Sequence, residues 1–125
     1  MVDSQKRVLI VEDDEHISKV YEIQLAKENL QVILARDGEE AVKMIESEKP
    51  DLIILDLMLP KKDGFWVLEE VKKNPKNLKA PILVISNLGQ KIDQERAMAL
   101  GATEYLVKID YPIQDIIDKI KSYLK

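Results

Sequence analysis

The sequence predicts an α/β fold: a single doubly wound, five-stranded parallel sheet with five helices on both faces. Two observations carry that expectation. Short runs of Val, Ile and Leu, bounded by turn signals, recur along the chain and read as strands buried on both faces. Between them lie segments with helical apolar spacing, and strand–helix alternation with short connections implies right-handed crossovers onto both faces of a parallel sheet.

Strands are expected near residues 7–11, 31–35, 51–55, 81–85 and 103–107. The first helix is marked by Ile17, Val20, Tyr21 and Leu25, which fall on one stripe. Ala41, Val42 and Ile45 mark the second, after an Asp37-Gly38 turn. Phe65, Leu68 and Val71 mark the third, ended by Asn74-Pro75. The segment 90–100 is mostly polar, leaving Ile92, Ala97, Ala99 and Leu100 to pack, and Gly101 fits the position just past a helix C-terminus. This fourth helix is expected to be the least firmly anchored and so a candidate for movement, although a well-solvated surface helix would give the same pattern. In the last helix Pro112 suits the first turn, and Ile113, Ile116, Ile117, Ile120 and Leu124 form the buried stripe.

A length of 125 residues suits one domain, residues 1–125, burying about two thirds of its unfolded surface. Charged residues make up 34% and hydrophobic ones 46%, with net charge −4 and the two signs interspersed. No basic stripe points to direct nucleic-acid binding, and no polybasic cluster points to a membrane surface. Apolar runs fall far short of the roughly 20 residues that span a bilayer, and no signal segment follows the N-terminal charges. The absence of cysteine excludes disulfides, thiolate metal sites and cysteine nucleophiles. A soluble, cytoplasmic domain is expected. Its start at Met1 and close on a finished helix favour a stand-alone chain over a domain cut from a longer protein.

The chemistry lies at the strand ends. Four apolar runs lead into Glu12-Asp13, Asp56, Ser86 and Lys108, and ligands of open α/β sheets bind at the carboxyl ends of the strands. Glu12-Asp13-Asp14-Glu15 alone would be an acidic first helical turn. With Asp56 ending a neighbouring strand, however, the crowded carboxylates call for a cation. An all-oxygen donor set favours Mg²⁺ or Mn²⁺, and the lone His16 is expected on the surface. A metal-screened carboxylate can attack phosphorus to give an acyl phosphate, with Lys108 and Ser86 binding phosphoryl oxygens.

Taken in order, these segments resemble the receiver domains of two-component response regulators, the chemotaxis-receiver-like family. Val-Leu-Ile-Val-Glu12-Asp13-Asp14 is similar to that family's acidic pair after the first strand. Asp56 with Pro60 four residues on and Gly64 eight on is similar to its phosphoacceptor segment. Val-Ile-Ser86 matches the hydroxyl position, and Gly101-Ala102 through Tyr105-Leu-Val-Lys108 matches the segment with the switch aromatic and the lysine. The resemblance covers essentially the whole chain and implies a flavodoxin-like strand order, 2-1-3-4-5. It implies Asp56 as phosphorylation site, Asp13 as direct Mg²⁺ ligand, Glu12 reaching the metal through water, and the Met58 carbonyl as a further ligand. Ser86 and Lys108 would bind the phosphoryl group, and Tyr105 would turn inward when Ser86 moves, reshaping the face of helix 4, strand 5 and helix 5. The implied partners are a sensor histidine kinase or histidine phosphotransfer protein and an unknown output protein. The chain would be a monomer or a phosphorylation-promoted homodimer. It would not be an enzyme in its own right, only an acceptor that catalyses its own phosphorylation and dephosphorylation.

Two positions depart from the pattern. Receivers usually follow the lysine with proline in a cis bond that aims the lysine, whereas here Ile109 follows and proline waits until 112. A cis bond without proline costs about 2.5–4 kcal/mol, so Lys108–Ile109 is expected to be trans. Asn87 stands where the family tends to have alanine or glycine, and it could narrow access to Asp56 or contact the phosphoryl group. Other functions compete. A receiver-like interaction module independent of phosphorylation would usually have lost one of these groups. An aspartyl phosphotransferase or phosphohydrolase would place a second aspartate at Met58, and a flavin or nucleotide binder would want a glycine- or hydroxyl-rich loop where this chain has carboxylates.

Overall fold

The computed structural model describes residues 5–74 and 80–124. Pro75, expected to help end the third helix, lies outside the described residues. The order of elements is β1 (Arg7–Val11), α1 (Glu15–Lys27), β2 (Gln31–Ala35), α2 (Gly38–Glu48), β3 (Leu52–Leu55), α3 (Gly64–Lys73), β4 (Ile82–Ser86), α4 (Lys91–Ala99), β5 (Glu104–Val107) and α5 (Ile113–Tyr123). All five strands are parallel, in the order β2-β1-β3-β4-β5. Strand assignments agree with the sequence expectation to within a residue, and Ser86 lies in the last position of β4 rather than after it.

Alternate residues of each strand feed two apolar layers. Leu9, Val11, Ile53, Leu55, Ile82 and Val84 pack with α2 and α3 and with Ala97 of α4. Val8, Ile10, Leu52, Ile54, Leu83, Ile85 and Leu106 pack with α1 and α5. Both faces are therefore dry, which is why the strands read as unbroken apolar runs.

Helix starts follow local capping chemistry. Asp14, Asp37 and Asp63 each accept hydrogen bonds from backbone N–H groups of the first turn of α1, α2 and α3. Gln90, just before helix α4, gives it no side-chain cap, and the helix buries only Ala97 completely, the weak anchoring its polar sequence implied. At its far end Gly101 has φ +107°, with Gly101 N–H donating to Met98 O and Ala102 N–H to Ala97 O, a Schellman close. Ile92 and Ala99 of α4, expected to pack, are exposed instead. Two positions of the α1 and α5 stripes are open as well: Val20 of α1 is 42% exposed and Ile113 of α5 is 38% exposed. Both line an apolar cavity of about 320 Å³ between α1 and the start of α5, with Ile17, Tyr21, Lys108 and Ile116 among its other walls.

Candidate functional site

The register builds the site. Val11 lies level with Leu55, so the next residues, Glu12 and Asp56, emerge side by side at the carboxyl edge. Asp56 N–H donates to Val11 O at 3.1 Å and Glu12 N–H to Ala35 O at 3.0 Å, extending the sheet ladder into both residues. Each side chain is buried, Glu12 at 5% exposure and Asp56 at 8%. Asp56 Oδ1 accepts from Met58 N–H at 3.0 Å. Its Oδ2 accepts from Lys108 Nζ at 3.1 Å, and the same ammonium donates to Glu12 Oε1 at 2.7 Å. Glu12, Asp56 and Lys108 thus form one hydrogen-bonded cluster.

Burial raises Glu12 above the ordinary carboxylate range against the pull of Lys108. Burial pulls Lys108 down, but the two carboxylates outweigh it and hold the ammonium above its ordinary value. Tyr21, buried beneath the cluster, is pushed up to about 12 chiefly by burial, with the charges of Lys108, Glu12 and Asp56 also felt there.

The four consecutive acids divide their work. Glu12 enters the cluster, Asp13 is exposed beside it, Asp14 caps α1, and Glu15 pairs with Arg36 at 3.0 Å. Among the described residues no three His, Cys, Asp or Glu side chains stand ready as a metal cage; Lys108 supplies the counter-charge. The donor chemistry fits a hard divalent ion all the same. The carboxylates of Glu12, Asp13 and Asp56 and the Met58 carbonyl offer only oxygen, and two acids sharing one ammonium with a third acid next in sequence leave net negative charge.

Ser86 is fully buried, and its Oγ accepts from Leu88 N–H at 3.4 Å. Tyr105 is half-buried against the α2–α4 layer, and its hydroxyl donates to Leu88 O. Leu88 therefore links the two expected switch residues through its backbone, a role without a side-chain signal in the sequence. His16 is exposed as expected. Lys108 opens a 3₁₀ turn over Lys108–Asp110, and among the described residues no peptide bond is cis, so Lys108–Ile109 is trans as expected. Ile109 is 85% exposed and, with Asn87 and Lys108, borders an open depression of about 350 Å³.

Gly64 shows why the acceptor segment requires glycine. A Cβ there would lie 2.6 Å from both Asp56 O and Leu57 Cα, so the start of α3 rests directly on the acceptor backbone.

A parallel sheet in this order, with an acid pair, an aspartate, a hydroxyl and a lysine at one edge, defines a receiver-type domain. The chain belongs to the response regulator receiver domain family, whose pattern matches residues 8–121. PhoP of Bacillus subtilis, an alkaline phosphatase synthesis transcriptional regulatory protein, is 38% identical over 96% of this chain and 49% of its own length. The chain spans about half the length of the curated relatives it matches. Among solved structures, the BeF3-activated N-terminal receiver domain of Klebsiella pneumoniae RstA matches with TM-score 0.85 at 27% identity, over 96% of this chain and 99% of that one. The non-phosphorylated HemR receiver domain of Leptospira biflexa matches equally well, TM-score 0.85 at 26% identity over 97% and 95%.

Proposed function

We propose that residues 1–125 are one receiver domain acting as the phosphoacceptor switch of a two-component phosphorelay, in which Asp56 takes a phosphoryl group from a histidine kinase or histidine phosphotransfer protein. The observation that carries this reading is the buried Asp56 carboxylate hydrogen-bonded to Lys108 and to the Met58 N–H beside Glu12. A carboxylate oxygen of Asp56 attacks phosphorus, the bond from phosphorus to the donor imidazole nitrogen breaks, and the nitrogen keeps the electron pair and is reprotonated. The product is an acyl phosphate on Asp56.

Lys108 neutralises a phosphoryl oxygen. The hydroxyl of Ser86, whose Oγ already accepts from Leu88, keeps its own proton to donate to another. Glu12, Asp13, Asp56 and the Met58 carbonyl would hold Mg²⁺, with Mn²⁺ able to substitute. When bound, the ion supplies the charge that screens the approaching anion. Movement of Ser86 toward the phosphoryl group acts through Leu88 on Tyr105, shifting the populations of the α4–β5–α5 face rather than creating a new fold. The domain works in the cytoplasm, as a monomer or as a homodimer promoted by phosphorylation, and hands its state to an output protein. It turns over no separate substrate, yet catalyses the gain and hydrolysis of its own phosphoryl group.

The test is intact mass after incubation with acetyl phosphate, with Mg²⁺, with chelator, and on Asp56→Asn. A single Mg²⁺-dependent adduct, lost in the variant, is expected. No adduct on folded, Mg²⁺-bound protein would overturn the reading in favour of a phosphorylation-independent interaction module.

A further inference from the structure

Lys108 follows the edge strand β5, and its ammonium must cross above β4 and β3 to reach Glu12 at the end of β1. A long, flexible side chain with that span needs aiming. The backbone beyond it contributes little: the 3₁₀ turn closes on one long bond, Tyr111 N–H to Lys108 O at 3.3 Å, and Ile109 projects into solvent. What fixes Lys108 lies at its two ends. Its stem shares a wall of the α1–α5 cavity with Ile17, Tyr21 and Ile116. Its ammonium lies closer to Glu12 (2.7 Å) than to Asp56 (3.1 Å).

Of the two carboxylates, Glu12 is the better anchor. It is buried, its N–H is tied to Ala35 O, and its Oε2 accepts from Asp14 N–H at 3.4 Å. Asp56 is the group that changes chemically when it is phosphorylated, so it cannot hold the lysine in one place through the reaction. We infer that Glu12 is the positioning residue that aims Lys108 at the phosphoryl site, performing in this chain what the missing proline performs elsewhere in the family. The inference rests on the acceptor role proposed for Asp56. Glu12 then serves Lys108 directly through Oε1, while the exposed Asp13 offers the cation a carboxylate beside it, unpaired among the described residues.

Two experiments test it. The first follows solvent exchange of the Lys108 ammonium by ¹⁵N NMR in metal-free protein with chelator, the signal being assigned with Lys108→Arg. Glu12→Gln is expected to speed exchange about tenfold or more, the factor that loss of a charge-assisted hydrogen bond gives. Asp13→Asn, which removes an acid not paired with Lys108, is expected to leave exchange within about twofold. Unchanged exchange in Glu12→Gln would overturn the inference.

The second is a double-mutant cycle on adduct formation from acetyl phosphate at saturating Mg²⁺. Glu12→Gln is expected to slow the rate about tenfold when Lys108 is present and less than about twofold in a Lys108→Met background. Additive losses would show Glu12 acting on its own and overturn the inference. The two readings fail separately. No adduct on wild type sinks the acceptor role, whereas adduct formation with Lys108 indifferent to Glu12 sinks only the positioning role.

Discussion

Gly64→Ala should destabilise the protein through the acceptor backbone itself. The added Cβ would sit 2.6 Å from Asp56 O, 2.6 Å from Leu57 Cα and 2.9 Å from Leu57 Cδ2. Two of the three are backbone atoms that no rotamer change can move. Restoring ordinary contact at 3.4 Å requires α3 and the Asp56–Leu57 segment to part by at least about 0.8 Å. That separation works against Gly64 N–H to Leu57 O, 2.9 Å, and the buried Phe65, Val67 and Leu68 behind it. Overpacking of this kind costs about 1–3 kcal/mol, and alanine returns only about 0.4–1 kcal/mol through the unfolded chain. A net loss of about 1.3 kcal/mol is expected, lowering Tm by on the order of 5 °C. Urea unfolding followed by far-ultraviolet circular dichroism should show a lower midpoint with an unchanged slope. Gly89→Ala is the control: its Cβ would meet nothing closer than Val107 Cγ1 at 3.8 Å, so it should fall within about 0.5 kcal/mol of wild type. A Gly64→Ala protein as stable as the control would refute the close-approach argument.

Lys108→Met should tighten divalent-cation binding about tenfold, because it removes the cation that now neutralises Glu12 and Asp56; a Mg²⁺ titration by NMR giving equal or weaker affinity would sink that view. Burial pushes Glu104 up, but hydrogen bonds from Lys119 and Tyr123 outweigh it and hold it below the ordinary range. Its stabilising contribution is therefore present above the unfolded carboxylate pKa and lost as pH falls through the lower folded one. Glu104→Gln should be less stable than wild type at neutral pH, with the gap closing in acid, and a gap constant with pH would contradict this. Ile117→Ala, in the α1–α5 layer at 1% exposure, should cost about 2–5 kcal/mol, whereas Ile109→Ala should stay within about 0.5 kcal/mol despite its place beside the site. Chemical denaturation separates these two outcomes.

The fold was legible because both sheet faces are covered, and doubly buried strands cannot hide among polar residues. The site was legible because its side chains sit where those runs stop: the register that levels Val11 with Leu55 also levels Glu12 with Asp56. Cross-strand partnership was not legible. Nothing in the order of residues says that Lys108 prefers Glu12 to Asp56, since that depends on how far an unpinned side chain travels over two strands. The stripe assignments failed at Val20 and Ile113 for a related reason. Helical period identifies an apolar face, but not whether the neighbouring helix starts early enough to cover it, and here α5 leaves a cavity. Leu88 was invisible because its link to Ser86 and Tyr105 runs through its N–H and C=O, a pair that every residue but proline carries.

Helix α4 ties that local chemistry to a movable surface. It has little burial of its own beyond Ala97, and besides its packing on β5 it is tied down by side chains of α3. The Arg96 guanidinium lies 4.1 Å over the Phe65 ring and 3.5 Å from Glu69, and Lys72 Nζ donates to Ala99 O at 3.1 Å. Phe65 directly follows Gly64, which rests on the acceptor backbone, and the loop into α4 carries Leu88, bonded to Ser86 and Tyr105. The α3 contacts and the loop through Leu88 thus both lead back to the edge where Asp56 lies. Arg96→Ala removes a cation–π contact worth about 0.5–1 kcal/mol at such an exposed position, along with a surface ion pair of little weight. The expected result is local: amides of α4 should exchange a few-fold faster, while those of β1 and β3 stay unchanged. Equal acceleration throughout the sheet would mean that Arg96 supports the whole domain, and no acceleration in α4 would mean that the helix is held by something other than these contacts.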